Sequence, residues 1–180
     1  MANLIATQKS LPQAVQDVDS AQQYLSFQLS GELFALDILH VKEILEYGQI
    51  TPVPMTPVFI RGVINLRGAV VPVIDLSARF GRAPIEVTRR SCIIIVEVQN
   101  DGERHDIGVT VDAVNEVVEL PPAEIEPAPA FGAKLRTEFI TGMGKLNGRF
   151  VILLDLAKVL SMDEMALLAE MGHADHEAEE

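Results

Sequence analysis

Two aspartates stand 80 positions apart at the ends of matching apolar runs, Asp75 in VVPVIDL and Asp155 in FVILLDL. One acid from each copy of a duplicated fold is how a paired-carboxylate hydrolase is built, the two groups sharing a proton so that one acts as base and the other as acid. The flanking residues argue against it. Asp75-Leu76-Ser77 and Asp155-Leu156-Ala157 lack a small, Gly-bearing turn, and each Asp opens a short segment, LSARF or LAKVL, where its carboxylate serves as an N-cap. Gly142-Met143-Gly144-Lys145 offers backbone amides and a lysine to a phosphate. A phosphate loop, however, needs Gly where Phe139 stands and Ser or Thr where Leu146 stands. His40, His105, His173 and His176 have no metal-ligand spacing with Cys or Asp, and Cys92 sits inside the apolar run SCIIIV. Neither a Gly-x-Ser-x-Gly elbow nor a dinucleotide fingerprint occurs. The expectation is therefore a binding protein without catalytic residue, cofactor or metal, a hydrolase on Asp75 and Asp155 being the alternative of a different class.

The elements that carry the two aspartates are copies of one another. Phe59 to Leu76, FIRGVINLRGAVVPVIDL, matches Phe139 to Leu156, FITGMGKLNGRFVILLDL, at eight positions that include both glycines and the closing Asp-Leu. Agreement of spacing, turn and closing pair marks an internal duplication. Each copy reads as two strands around a two-residue turn, Arg67-Gly68 in the first and Asn147-Gly148 in the second, and Asn-Gly is a strong hairpin signal. Pro72 within a strand points to a sheet edge or a bulge.

Upstream, YLSFQL alternates with strand period, Ser30-Gly31-Glu32 turns the chain and LFALDI returns. VKEILEY fits a helical turn or a strand equally, and Ile38 reads as core. Thr51 to Pro57 carries three prolines and must be an extended loop. SCIIIVEV, DIGVTVDAV and NEVVEL echo this arrangement in the second half, and Pro121 to Gly132, with four prolines, mirrors the loop. Each half thus reads strand, strand, strand, proline loop, hairpin, short helix, a pattern of small closed barrels. Ser161 and Glu164 form a capping-box pair that starts a C-terminal helix.

Composition bounds the partners. A formal net charge of −12 disfavours nucleic acid and anionic lipid, and Arg79, Arg82, Arg89 and Arg90 read as a solvated cluster. No apolar run approaches the roughly 18 residues of a membrane span. The N-terminus lacks a secretory pattern and the single cysteine suits a reducing compartment, so a soluble cytoplasmic protein is expected.

FIRGVINLRGAVVPVIDLSARF, at Phe59 to Phe80, closely resembles the CheW family of bacterial chemotaxis coupling proteins. YLSFQLSGELFALDILHVKEI, IEPAPAF, FITGMGKLNGRFVIL and DEMALL follow in that family's order, so the resemblance runs from about Tyr24 to Leu168. It implies an all-β fold of two SH3-like five-stranded barrels from the duplication, with short helices and a C-terminal helix. The expected division is a disordered tail over 1–22 and a CheW-like domain over 23–168. Within the domain it places a first barrel unit over about 23–84, a second over about 85–160 and the helix over about 161–171, with an acidic tail over 172–180.

The resemblance also implies a non-catalytic adaptor that couples the cytoplasmic tips of chemoreceptors to the regulatory domain of the chemotaxis histidine kinase. Such a protein would be recruited to membrane-associated receptor arrays without entering the bilayer. Partner contact is expected at Val41, Glu43, Gly62, Asn65 and Arg67. Val41 and Glu43 match positions at the family's receptor-facing groove. Arg67, at the hairpin tip, offers a planar fork to a carboxylate or carbonyls, while Asn65 can fix the turn and Gly62 can permit close backbone approach, a bulge being its plain alternative. The second hairpin has Asn147 where the first has Arg67, so the two units are not equivalent partners. A detached kinase regulatory domain is the competitor within the superfamily; the KEI and NLRG pattern and the Met1 start favour the coupler over it, and the lack of a following receiver domain disfavours a fusion.

Overall fold

Short runs rich in Val and Ile become ten strands among the described residues, which are 21–100, 102–128 and 137–161 of the computed structural model. The first half supplies β1 (Gln22–Leu29), β2 (Glu32–Asp37), β3 (Val41–Glu46), β4 (Ile60–Leu66) and β5 (Ala69–Asp75). The second supplies β6 (Cys92–Asn100), β7 (Glu103–Val111), β8 (Ala113–Leu120), β9 (Ile140–Leu146) and β10 (Arg149–Leu154). Four-residue helices, Leu76–Arg79 and Leu156–Val159, follow β5 and β10. The undecided segment VKEILEY is strand β3, preceded by a 3-10 turn, Ile38–His40, which Asp37 caps by accepting the Leu39 N–H at 3.0 Å. The expected N-terminal tail up to residue 20, the C-terminal helix beyond Ser161 and the acidic tail lie outside the described residues.

Two five-stranded sheets result, in the orders β8-β1-β2-β10-β9 (barrel I) and β3-β6-β7-β5-β4 (barrel II). The fold is all-β and of the SH3-like kind, but the division of strands differs from consecutive units over 23–84 and 85–160. The β1–β2 hairpin pairs with β8 and, in parallel, with β10; the β6–β7 hairpin pairs with β3 and, in parallel, with β5. Each copy of the repeat lends its first hairpin to the other copy's barrel. Burial explains the exchange: Tyr24–Phe27, Leu33–Leu36 and Ile93–Val96 are buried at every position, and a strand apolar on both faces needs a cover on each. In the exchanged arrangement one face lines a barrel and the other meets the neighbouring barrel.

Buried side chains sort accordingly. Tyr24, Leu33, Ala35, Val118, Leu120, Val151 and Leu153 fill barrel I, while Val71, Val73, Ile93 and Ile95 fill barrel II. The largest cluster lies between the barrels and includes Phe27, Phe34, Phe59, Ile94, Val96 and Phe139. Phe27, Phe34 and Phe139 are sealed there, each contributing about 2–3 kcal/mol, so the seam binds the two barrels into one folding unit. Pro72 is not on an edge strand, since β5 lies between β4 and β7. Pairing with β7 begins only at Val73, so no neighbour on that side calls for the N–H that Pro72 lacks.

Candidate partner-binding site

Arg67 and Gly68 have φ of 53° and 87°, the left-handed pair of a two-residue hairpin turn whose twist matches its strands. Asn65 fixes the turn: its Oδ1 accepts the Gly68 N–H at 3.0 Å. From this tip Arg67, its side chain 73% exposed, reaches Glu43 with Nη1 2.9 Å from Oε2 and Nη2 3.0 Å from Oε1. The two residues come from opposite edges of the barrel II sheet, the β4 hairpin and β3, so the fork closes an opening that ladder hydrogen bonds do not. The hydrogen bond to Glu43, reinforced by its charge, holds the Arg67 guanidinium above its ordinary pKa.

Val41 and Glu43 are turned to opposite faces of β3. A bulge between them sets Val41 opposite Val96, of the inter-barrel core, and Glu43 opposite Ile95, of the barrel II interior. Val41 packs partly on the inter-barrel core, and Ile44, opposite Ile94, is 44% exposed beside it. Ile38 also packs partly on that core, and the next residue, Leu39, is 86% exposed. Between them Lys42 pairs with Asp106 at 3.0 Å and Glu97 at 3.8 Å; the bond to Asp106 dominates in raising its pKa. A cleft of about 1050 Å³ opens at the seam nearby, lined by Tyr24, Asp37, Leu39 and His40 and by Val98 and Arg104 of barrel II.

Gly62 is buried and sits at a bulge of β4 with φ 143°. A Cβ there would stand 2.1 Å from the Thr51 carbonyl oxygen. Thr51 and Val63 exchange two backbone hydrogen bonds of 2.9 Å each, which tie the proline loop down on β4. Gly62 thus sits at a bulge and permits a close backbone approach. In the second copy Gly142 lies beside the equivalent pair, Glu126 and Met143.

The two aspartates are occupied with structure. Asp75, wholly buried, accepts the N–H of Ala78 and of Ile85 at 3.0 Å each and pairs with Arg61 at 2.9 Å. Asp155 accepts the Lys158 N–H at 3.3 Å as a helix cap. Sequence reasoning missed Arg61 because its repeat counterpart is Thr141, which instead donates to the Leu153 carbonyl. Cys92 is only half-buried, its thiol against the Arg90 carbonyl at 3.4 Å. Among the described residues no group of three or more His, Cys, Asp or Glu side chains is placed to hold a metal ion, and no helix is long and apolar enough to cross a membrane.

A duplicated double barrel whose buried carboxylate is tied into its own backbone, and whose exposed features are a charged fork and apolar edge residues, is a binding module. The CheW-like domain model matches residues 23–164, and the chain belongs to that family. The chemotaxis protein CheW of Klebsiella aerogenes is 43% identical over 147 residues, 82% of this chain and 86% of the relative. That of Rhizobium meliloti is 32% identical over 146 residues, 81% of this chain and 92% of the relative. Among solved structures, the scaffolding protein TtCheW from Thermoanaerobacter tengcongensis matches with a TM-score of 0.69 at 39% identity, covering 77% of this chain and 87% of that one.

Proposed function

We propose that this chain is a non-catalytic chemotaxis adaptor that couples the cytoplasmic tips of chemoreceptors to the regulatory domain of the chemotaxis histidine kinase. The observation that carries the reading is the Arg67–Glu43 fork, an exposed bidentate pair that brings two of the expected contact residues together, with Asn65 fixing the turn beneath them. An arginine so held is presented in one conformation and can exchange or share its carboxylate with a partner's. Val41 and Ile44 on the other face of β3, with Leu39 of the turn before it, have an apolar character suited to a helical receptor tip. Two faces of one edge strand thus serve two contacts on a rigid body. Gly62 enters only indirectly, by holding the loop that flanks β4.

Calorimetric titration of the protein against the kinase regulatory domain and against a receptor signalling fragment tests this. Micromolar binding to both, with kinase activity that becomes receptor-dependent when the protein is added, is the expected result. Absence of binding to either partner refutes it.

A further inference from the structure

Equivalent residues of the two copies differ by 80 in number, so direct contact between residue i and residue i + 80 marks the approximate twofold axis that relates them. Arg79 and Val159 are such a pair, the Arg79 Nε donating to the Val159 carbonyl at 2.8 Å. The equivalent residues Phe59 and Phe139 both face the arginine: the guanidinium carbon lies 5.5 Å from the ring centre of Phe59 and 4.9 Å from that of Phe139. The carbonyls of these phenylalanines accept the amides of Asp75 and Asp155 at 2.7 and 2.8 Å, so each ring is tied to its own copy in the same way. Phe80 continues the stack, 5.9 Å from Phe139 and 5.8 Å from Phe34.

Burying a cation is costly, and Arg79 is only 8% exposed. Two aromatic faces and a carbonyl offset the cost. Only one of the two equivalent positions can hold it: arginines at both would crowd two like charges into one dry space, and valines at both would leave a gap between the rings. Most of the seam is apolar, and apolar contact is not directional. Further polar ties across it among the described residues, the Ser30 N–H to Asp112 at 2.7 Å, the Ser30 hydroxyl to that of Ser77 at 3.4 Å and Arg82 to Glu32 at 3.2 Å, lie together at the β1–β2 turn. Arg79, by contrast, makes its directional bond at the axis itself.

We infer that Arg79 is a positioning residue that fixes the angle between the two barrels, so that a partner held on one barrel is felt by a partner held on the other. The transmission rests on the adaptor reading; the angle does not. The test measures the distance between spin labels at Glu46→Cys in barrel II and Arg149→Cys in barrel I, in a Cys92→Ser background. The unsubstituted Arg79 protein should give one narrow distribution, Arg79→Met a broadened and shifted one, and Arg79→Lys, which keeps the cation, an intermediate one. Binding of Arg79→Met to the kinase domain or to the receptor fragment alone should stay within about threefold, while receptor control of kinase activity falls by about tenfold, an ordinary coupling size. A narrow, unshifted distribution in folded Arg79→Met overturns the inference. If that variant does not fold, Phe139→Leu, which removes one ring and leaves the arginine, must broaden the distribution, and a narrow one overturns the inference equally. Failure of the unsubstituted protein to bind either partner would overturn the adaptor reading and leave the distance test intact.

Discussion

Replacing Gly62 by alanine should weaken the fold itself, and the size of the effect follows from the geometry. The new methyl carbon would begin 2.1 Å from the Thr51 oxygen and 2.8 Å from its carbonyl carbon, contacts that only backbone movement can relieve. Holding a non-glycine residue at φ 143° costs about 1–3 kcal/mol. Pushing the loop away also forfeits the two Thr51–Val63 hydrogen bonds, at about 1 kcal/mol each. The loss is then about 3–5 kcal/mol, a large part of the stability of an ordinary domain, and lowers Tm by roughly 10 °C. Gly142→Ala is the internal control. Its methyl would meet the Ile125 Cγ2 at 2.6 Å, a movable side-chain atom, and the Glu126 oxygen at 3.0 Å, without a left-handed φ, so its Tm should fall by only about a third as much. Differential scanning calorimetry of both variants and the wild type decides. Were Gly62→Ala to melt within about 2 °C of wild type while losing partner affinity, Gly62 would be a surface contact and the internal role assigned to it wrong.

Arg67→Ala should weaken binding to a partner by about tenfold or more and shift Tm by less than about 2 °C, because the fork is solvated. The exchange Arg67→Glu with Glu43→Arg should recover barrel closure but not affinity, and full recovery of affinity in the calorimeter would mean that the pair acts only on the fold. Asp75→Ala should cost about 3–5 kcal/mol, since it strands the partly buried Arg61 and two amides, whereas Asp155→Ala removes one cap for about 1 kcal/mol. Equal losses in urea titrations would contradict that asymmetry. Burial, and secondarily the charge of Asp37, raise the Tyr24 phenol pKa above 10.0. Its contribution is therefore present below that pH and lost as pH rises through the folded value, so the stability advantage of wild type over Tyr24→Phe should shrink past about pH 10. A pH-independent gap in denaturant unfolding would refute this.

The duplication was legible because its signals are local: the same Asp caps each short helix, and the same two-residue turn recurs with Arg67 at φ 53° and Asn147 at φ 51°. Asn65 was legible for the same reason, its bond to Gly68 spanning three residues. β3 stayed undecided because apolar residues at Val41, Ile44 and Leu45 suit either period, and only pairing with β6 settles it. Pairing of Glu43 with Arg67 could not be read, since closure of a barrel brings together residues that share no local pattern. Strand exchange was hidden in a deeper way. A repeat identifies which strands are equivalent, and equivalence is blind to which copy each one joins.

That exchange sets the order in which the protein can be completed on the ribosome. Barrel II has its last strand once Val111 has emerged, although barrel I contains the N-terminal strand. The β1–β2 hairpin, finished at Asp37, must wait for Leu154 before its parallel neighbour exists. At ordinary synthesis speeds that is roughly ten seconds with apolar faces uncovered, a window in which a chaperone or a second nascent chain can claim them. Cutting the polypeptide between the repeats would likewise yield two unfinished barrels, each carrying the hairpin the other lacks, and neither fragment could mature without trading with its sibling.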